Sequence, residues 1–135
     1  MDPLTDFVVD TVAFVRYLED TLPPHAERAF EEAEAGRGHL FLPQIALGEF
    51  VYIALRGRLK GDHAATRVRE VIHNLSASGA FTLSSMSPEA WEAFLNIRIS
   101  ELHDRMIAAE AIGRRVPLIS NDSSFDGIEG LRVVW

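Results

Sequence analysis

Short apolar segments alternate with helical segments along the chain, and this alternation limits the folds that it can adopt. Apolar runs of three or four residues predict buried strands, and apolar residues repeated every three or four positions predict helices. The predicted strands cover residues 7–10, 39–42, 81–83, 116–119 and 131–134, and the predicted helices cover 11–22, 25–35, 43–55, 62–75, a segment that starts at 87, and 104–114. Strands that alternate with helices predict an α/β domain with a mostly parallel central sheet flanked by helices.

Length and composition fit one domain over residues 1–135. A chain of 135 residues, 47% of them hydrophobic, is long enough for its own core. It has no cysteine, which excludes disulfides, thiolate metal sites and cysteine nucleophiles. No apolar run approaches the roughly 20 residues of a membrane span, and the start has no basic, signal-like region. We therefore expect a cytoplasmic protein that does not associate with a membrane.

The charge balance separates two kinds of nucleic-acid protein. A net charge of −7 argues against a protein that coats nucleic acid, but not against an enzyme that cuts it, because clustered catalytic acids add to the negative count. Basic residues concentrate around one predicted turn at Arg56, Arg58 and Lys60. We interpret these three as candidate contacts to nucleic-acid phosphates or to an acidic partner, with a solvated surface as the alternative.

Four acidic residues lie at the borders of apolar segments or within one. Asp10 and Asp122 follow predicted strands, Asp104 precedes the apolar part of a helix, and Glu49 has apolar residues three and four positions away. Each also has a structural alternative: a helix cap for Asp10 and Asp104, a turn for Asp122, and the surface for Glu49. Ligands of open parallel sheets bind beyond the carboxyl ends of the strands. Because buried carboxylates are unfavourable without a counter-charge, the set predicts one pocket for a divalent cation.

The order and spacing of these motifs resemble the PIN-domain ribonucleases, and among them the VapC-type toxins of prokaryotic toxin–antitoxin pairs. Residues 7–11 are similar to the opening strand of that family with its first acid, and residues 42–50 to its helix that carries a glutamate. The most specific segment is 103–125, in which a helix of the type D-x-x-I-A-A-x-A precedes an apolar strand and the pattern S-x-D-x-x-F. The resemblance spans essentially the whole chain and implies a single PIN-like domain.

What the resemblance implies is a metal-dependent endoribonuclease that hydrolyses RNA phosphodiesters. The implied ligands of Mg²⁺ or Mn²⁺ are Asp10, Glu49, Asp104 and Asp122, with Asp126 as an optional fifth. Thr11 and Ser120 would support these ligands through hydrogen bonds. The implied partners are an RNA substrate, a small antitoxin protein that blocks the activity, and a second copy of the chain in a homodimer.

Other functions fit parts of the pattern. A PIN-like nuclease could act in RNA processing or in DNA cleavage instead. A phospho-receiver domain is also α/β with clustered acids, but it needs a lysine after a late strand, and the only lysine here is Lys60, in a mid-chain loop. A non-catalytic binding module is disfavoured because all four acid positions are filled.

Aromatic and histidine residues outside the motifs are predicted to have structural roles. Trp91 and Phe94, three positions apart on one predicted helix, indicate a core face. Phe14, Phe50 and Tyr52 fit the core or, alternatively, a dimer interface. No two of the five histidines have the spacing of a zinc site on a helix, so we expect them at surface or partly buried positions.

Overall fold

A five-stranded parallel sheet forms the centre of the protein, and helices flank it. The computed structural model describes residues 6–58 and 63–135. The strands are β1 (Asp6–Val9), β2 (His39–Pro43), β3 (Phe81–Ser84), β4 (Leu118–Ile119) and β5 (Val133–Val134). The helices are α1 (Thr11–Glu19), α2 (Pro24–Glu34), α3 (Gln44–Ile53), α4 (Ala64–Ala77), α5 (Pro88–Asn96) and α6 (Leu102–Arg114). The predicted α/β class is confirmed.

The first strand lies in the middle of the sheet. The strand order is β3-β2-β1-β4-β5, and each of the four pairings is parallel. The chain runs outwards from β1 through β2 to β3, and then returns to place β4 on the other side of β1. The order therefore reverses between β1 and β4. In open α/β sheets, such a reversal leaves a crevice beyond the carboxyl ends of the two strands, where ligands bind.

An aromatic cluster forms one part of the hydrophobic core. The Phe14 ring packs edge-on against the rings of Phe50 and Phe81, with centroid distances of 5.6 and 6.1 Å, and Tyr17 stacks on Phe30 at 4.7 Å. Phe14 and Phe50 are buried within the chain itself. The alternative that these two phenylalanines form a dimer interface is therefore wrong, because they are already covered by their own core.

The apolar face predicted for α5 lies largely outside the core. Trp91 is 48% exposed and Leu95 is 68% exposed, whereas Ala90 is buried. The cause is a close contact between α5 and α6: a Cβ atom added to Gly113 would lie 2.7 Å from the backbone nitrogen of Ala90. When two helices touch through their smallest residues, the larger side chains lie outside the interface between the helices. The core prediction for Trp91 is wrong, and Phe94 is only partly buried.

Several helices begin or end at other residues than predicted. Helix α1 ends at Glu19 because Asp20 takes a left-handed backbone conformation, with φ of 58°. After α3 the chain continues in a wider helical turn, Ala54–Arg58, in which Gly57 has φ of 101°. Helix α6 begins at Leu102, two residues before the predicted start. In the described ranges, no helix is long and apolar enough to cross a membrane.

A buried glutamate connects α6 to the end of β3. Ser84 Oγ donates a hydrogen bond to Glu110 Oε1 at 2.7 Å, and both residues are buried. Arg114 Nε lies 3.8 Å from the same oxygen, and its guanidinium group stacks over the Phe41 ring. Burial raises the pKa of Glu110, while the bond from Ser84 and the charge of Arg114 lower it. These contacts hold α6, which carries Asp104, against the sheet.

Candidate metal centre

Acidic residues border the crevice between β1 and β4. Asp10 follows the last residue of β1, and Asp122 follows β4 within three residues. The two strands end side by side, since Val9 pairs with Ile119 and the Asp10 N–H donates to the Ile119 carbonyl at 3.3 Å. The backbone therefore delivers both acids to the same edge of the sheet.

Asp10 is a buried carboxylate at the start of α1. Its Oδ1 accepts a hydrogen bond from the Ala13 N–H at 2.8 Å, so the residue also caps the helix. The pKa of Asp10 is raised to about 6, because burial and the charges of Asp122 and Glu49 outweigh the hydrogen bonds from Ser120 and Ala13, which lower it. A carboxylate that is desolvated and surrounded by like charges is stabilised when a cation binds.

Ser120 joins the first acid to the last. Its buried hydroxyl donates to the Asp10 carboxylate, and its Oγ accepts from the Asp122 N–H at 3.0 Å. Asp122 itself is exposed, and its Oδ1 accepts from the Ser124 N–H at 2.9 Å, which starts a single 3₁₀ turn, Ser123–Phe125. The turn uses only Oδ1 of Asp122, so the turn is compatible with binding of a metal ion by Oδ2 of the same carboxylate.

Glu49 is held from two sides. Thr11 Oγ1 donates to Glu49 Oε1 at 2.6 Å, and His103 Nδ1 lies 2.8 Å from Glu49 Oε2. Because a carboxylate can only accept, Nδ1 carries the proton in this pair. Thr11 follows Asp10 and His103 precedes Asp104, so these two hydrogen bonds connect α3 to the segments that carry Asp10 and Asp104.

Asp104 lies in the first turn of α6 and does not cap the helix. Glu101 is the cap, and its Oε2 accepts from the Asp104 N–H at 2.6 Å. Burial, together with the charges of Glu101, Asp122, Glu49 and Asp10, raises the pKa of Asp104 to about 6. The cap prediction for Asp104 is wrong, which leaves its carboxylate without a capping role.

The charges that raise these pKa values link the four predicted acids. Asp10 is affected by Asp122 and Glu49, and Asp104 is affected by all three others. Within residues 6–58 and 63–135, no lysine or arginine forms an ion pair with any of the four. The four acids therefore lie close enough at the crevice for their charges to act on one another, but among the described residues the group with ligand atoms within 4.8 Å of one another is Glu49, Glu101 and His103. Asp126 is exposed and is not among the charges that act on Asp10 or Asp104.

The family model of the PIN domain matches residues 7–131. The chain belongs to the PIN domain family. The matched region runs from β1 to the residues just before β5, and it contains all four acids. Comparison with curated proteins gives no match.

Solved structures of toxin–antitoxin complexes share the fold of this PIN domain. VapBC2 from Rickettsia felis, bound to a DNA fragment from its promoter, has a TM-score of 0.75 at 18% identity, over 96% of this chain and 98% of that chain. DNA-bound VapBC from Salmonella typhimurium has a TM-score of 0.73 at 20% identity, over 97% and 98%. A toxin–antitoxin complex from Klebsiella pneumoniae has a TM-score of 0.64 at 22% identity, over 96% of each chain. At these identities the similarity shows the fold.

Sequence motifs missed Glu101, and they drew attention to His103 beside Asp104 without giving it a role in the crevice. Three ligand atoms, one each from Glu49, Glu101 and His103, lie within 4.8 Å of one another, an arrangement that can hold a metal ion. His103 Nδ1 also lies 3.5 Å from Glu101 Oε1. The local signal is the cluster Glu101-x-His103-Asp104, but the contact with Glu49 spans 54 positions and cannot be read from spacing.

Of the three predicted phosphate contacts, the structure describes the side chain of one. Arg56 is exposed, its Nη1 donates to Tyr52 Oη at 2.8 Å, and its guanidinium carbon lies 5.3 Å from the Tyr52 ring centroid. Lys60 and the side chain of Arg58 lie outside the described part of the chain. A role of these residues in binding nucleic acid stays a prediction.

Proposed function

We propose that this PIN domain is a metal-dependent endoribonuclease, the toxin of a VapBC-like toxin–antitoxin pair, which hydrolyses RNA phosphodiesters. The observation that supports the activity is the gathering of four carboxylates at the crevice, with no lysine or arginine of the described ranges paired to them. The toxin role is supported by the VapBC complexes that share the fold. Membership in the PIN family argues against the phospho-receiver alternative.

Magnesium or manganese fits the donor set. Asp10, Glu49, Asp104 and Asp122 offer oxygen atoms, which hard divalent cations prefer. Burial and mutual repulsion raise the pKa of Asp10 and Asp104, and a cation would relieve both effects. When bound, such an ion would neutralise the charge of the phosphodiester and lower the pKa of the attacking water.

The remaining polar residues of the crevice orient the carboxylates. Ser120 donates to Asp10, and Thr11 and His103 engage the two oxygens of Glu49. Hydrogen bonds of this kind restrict side-chain rotation and set the direction of the free lone pairs. Asp10 is the central ligand in this proposal, since it is the most buried of the four and its neighbours approach it from β4 and α3.

The purified protein should cleave single-stranded or loop RNA in Mg²⁺ or Mn²⁺ and lose the activity in EDTA. The measurement is cleavage of an end-labelled RNA resolved on a gel, with a DNA of the same sequence beside it and with metal added back after chelation. RNA cleavage that persists in EDTA would contradict a metal-dependent mechanism. Metal-dependent cleavage of the DNA alone would instead assign the domain to DNA cleavage.

We also propose a small antitoxin as a binding partner, a homodimer as the assembly, and the cytoplasm as the location. The antitoxin is supported by the structural similarity to toxin–antitoxin complexes. The homodimer is supported by exposed apolar side chains on α5 and at the start of α6, namely Trp91, Leu95 and Leu102. Homodimer interfaces are more apolar than the rest of a protein surface.

Expression of the chain alone should inhibit growth, and co-expression of the cognate antitoxin should restore it. Asp104→Asn should remove the inhibition without a partner, because it removes a proposed metal ligand.

Light scattering at micromolar concentration should give twice the chain mass of 15.0 kDa, and Trp91→Ala should shift the protein towards monomer. Growth inhibition that survives Asp104→Asn would contradict the toxin proposal, and a parental monomer would contradict the homodimer.

A further inference from the structure

A groove leads outwards from the carboxylates along α3. Its volume is about 390 Å³, within the range of small-ligand sites. It is lined by Ile45, Gly48, Glu49, Tyr52, Ile53 and His103. Tyr52 and Ile53, which neighbour Glu49 on the helix, are exposed at 61% and 37%. The groove therefore joins a proposed ligand of the metal to an open aromatic side chain.

The outer end of the groove presents hydrogen-bond donors. Arg56 donates to the Tyr52 hydroxyl oxygen, which leaves the hydroxyl proton free to donate in turn. A guanidinium group has five N–H donors, so most of those on Arg56 remain available. Arg56 contacts a neutral phenol, and no carboxylate of the described residues forms an ion pair with it. This end therefore suits a ligand that is anionic and rich in acceptors.

The two ends of the groove have opposite electrostatic character. The inner end carries Glu49, a proposed ligand of the cation, and the outer end carries the positive charge of Arg56, which forms no ion pair within the described residues. Tyr52 and Arg56 follow Glu49 by three and seven positions, so they stand roughly 5 and 10 Å farther along the helix axis. That separation along the helix is compatible with contact to a nucleotide that neighbours the cleaved phosphate.

We propose that Tyr52 and Arg56 bind the nucleotide next to the cleaved phosphodiester in single-stranded RNA, with the base against the Tyr52 ring and a phosphate on Arg56. This inference rests on the proposed ribonuclease function. Aromatic side chains stack on bases of any sequence, and arginine adds a charge-assisted phosphate contact. Stacking requires an unpaired base, so the groove selects single strands and loops over duplexes.

A protein partner is the competing occupant, since Ile45 and Ile53 also line the groove. The electrostatics favour RNA. An apolar side chain of a peptide would use only the part of the groove lined by Ile45 and Ile53, whereas a nucleotide supplies a flat base for Tyr52 and an anionic phosphate for Arg56 together. The experiment below distinguishes the two occupants.

Kinetics of the metal-loaded protein on a labelled single-stranded RNA of mixed sequence test the inference. Tyr52→Leu should raise KM about tenfold and leave kcat within about twofold, because stacking binds ground state and transition state alike. Tyr52→Phe should retain most of the affinity, since it keeps the ring. Arg56→Gln should raise KM and reduce the slope of log KM against log salt by about 0.7, as one lost phosphate contact does in a single strand. The matched control Arg28→Gln removes a positive charge from an exposed position of α2 and should change neither value.

Binding of the same RNA, measured by fluorescence anisotropy, separates this inference from the ribonuclease proposal. If the parental protein binds RNA without cutting it, the ribonuclease proposal fails, and about tenfold weaker binding by Tyr52→Leu still supports the groove. RNA binding and KM that are unchanged in a folded Tyr52→Leu protein would overturn the inference. If the same variant also escapes neutralisation by the co-expressed antitoxin, the groove belongs to the protein partner.

Discussion

Asp10→Asn should lower metal-dependent RNA cleavage at least about a hundredfold while the fold stays intact. Asparagine keeps a side-chain oxygen that can accept from the Ala13 N–H, so the cap of α1 is retained. It removes the charge of the most buried of the four acids, at the point where β1, β4 and α3 meet. The measurement is kcat/KM in Mn²⁺, accompanied by a circular-dichroism spectrum and a thermal melt of each protein.

Asp20→Asn is the matched control for this substitution. Asp20 lies at the opposite end of α1, is exposed, and has a left-handed backbone conformation that asparagine tolerates. The same chemical change on the same helix should leave cleavage close to that of the parental protein. If the two variants had equal activity, Asp10 would have no part in the reaction.

The placement of the acids could be predicted from the sequence because it follows from local features. A buried strand ends where its apolar run ends, and parallel strands present their carboxyl ends at one edge of the sheet. Asp10 and Asp122 follow such runs, so their common edge could be predicted without knowledge of the strand order. The order itself, with β4 beside β1, is a tertiary property that makes the two acids neighbours.

For two of these acids a structural role is compatible with the proposed role as a metal ligand. Asp10 caps α1 and Asp122 caps a 3₁₀ turn, each through Oδ1. A carboxylate has two oxygens, so a cap that uses one is compatible with a ligand contact by the other. Capping also fixes the orientation of the side chain, and an acid that serves both roles needs fewer supporting residues.

The start of α6 differs from the predicted one because Glu101 is its cap, although aspartate is the more favoured cap residue. Glu101 and Asp104 are three positions apart, and either could accept from a free N–H of the first turn. At its other end, α6 packs closely on α5 where Gly113 meets the backbone of Ala90. The same contact leaves Trp91 outside the core, although its spacing on the helix predicts a buried face.

Acid should stabilise the metal-free protein between pH 7 and pH 5. Folding raises the pKa of Asp10 and Asp104 from 3.8 to about 6, chiefly through burial. A carboxyl group with a higher pKa in the folded state binds its proton more tightly there, so its stabilising contribution is complete below 3.8 and is lost as the pH rises through 6. The whole effect is about 3 kcal/mol for the buried Asp10, a little under half of which falls between pH 7 and pH 5, and it is smaller for the more exposed Asp104. Melting temperatures in EDTA should rise as the pH falls from 7 to 5, and they should rise less in Asp10→Asn.

Mn²⁺ should stabilise the protein at neutral pH by relieving the same repulsion, and Asp122→Asn should weaken this response. A cation that binds only the folded state adds about 2.7 kcal/mol at a hundredfold excess over its Kd. Asp122→Asn removes one negative charge from the acids that act on Asp10 and Asp104. The metal-free variant should therefore be at least as stable as the parental protein, and it should gain less from Mn²⁺. Asp126→Asn makes the same change at an exposed acid outside the cluster, and its metal response should match the parental one. If the shift between EDTA and Mn²⁺ is equal in Asp122→Asn and the parental protein, Asp122 only shapes its turn.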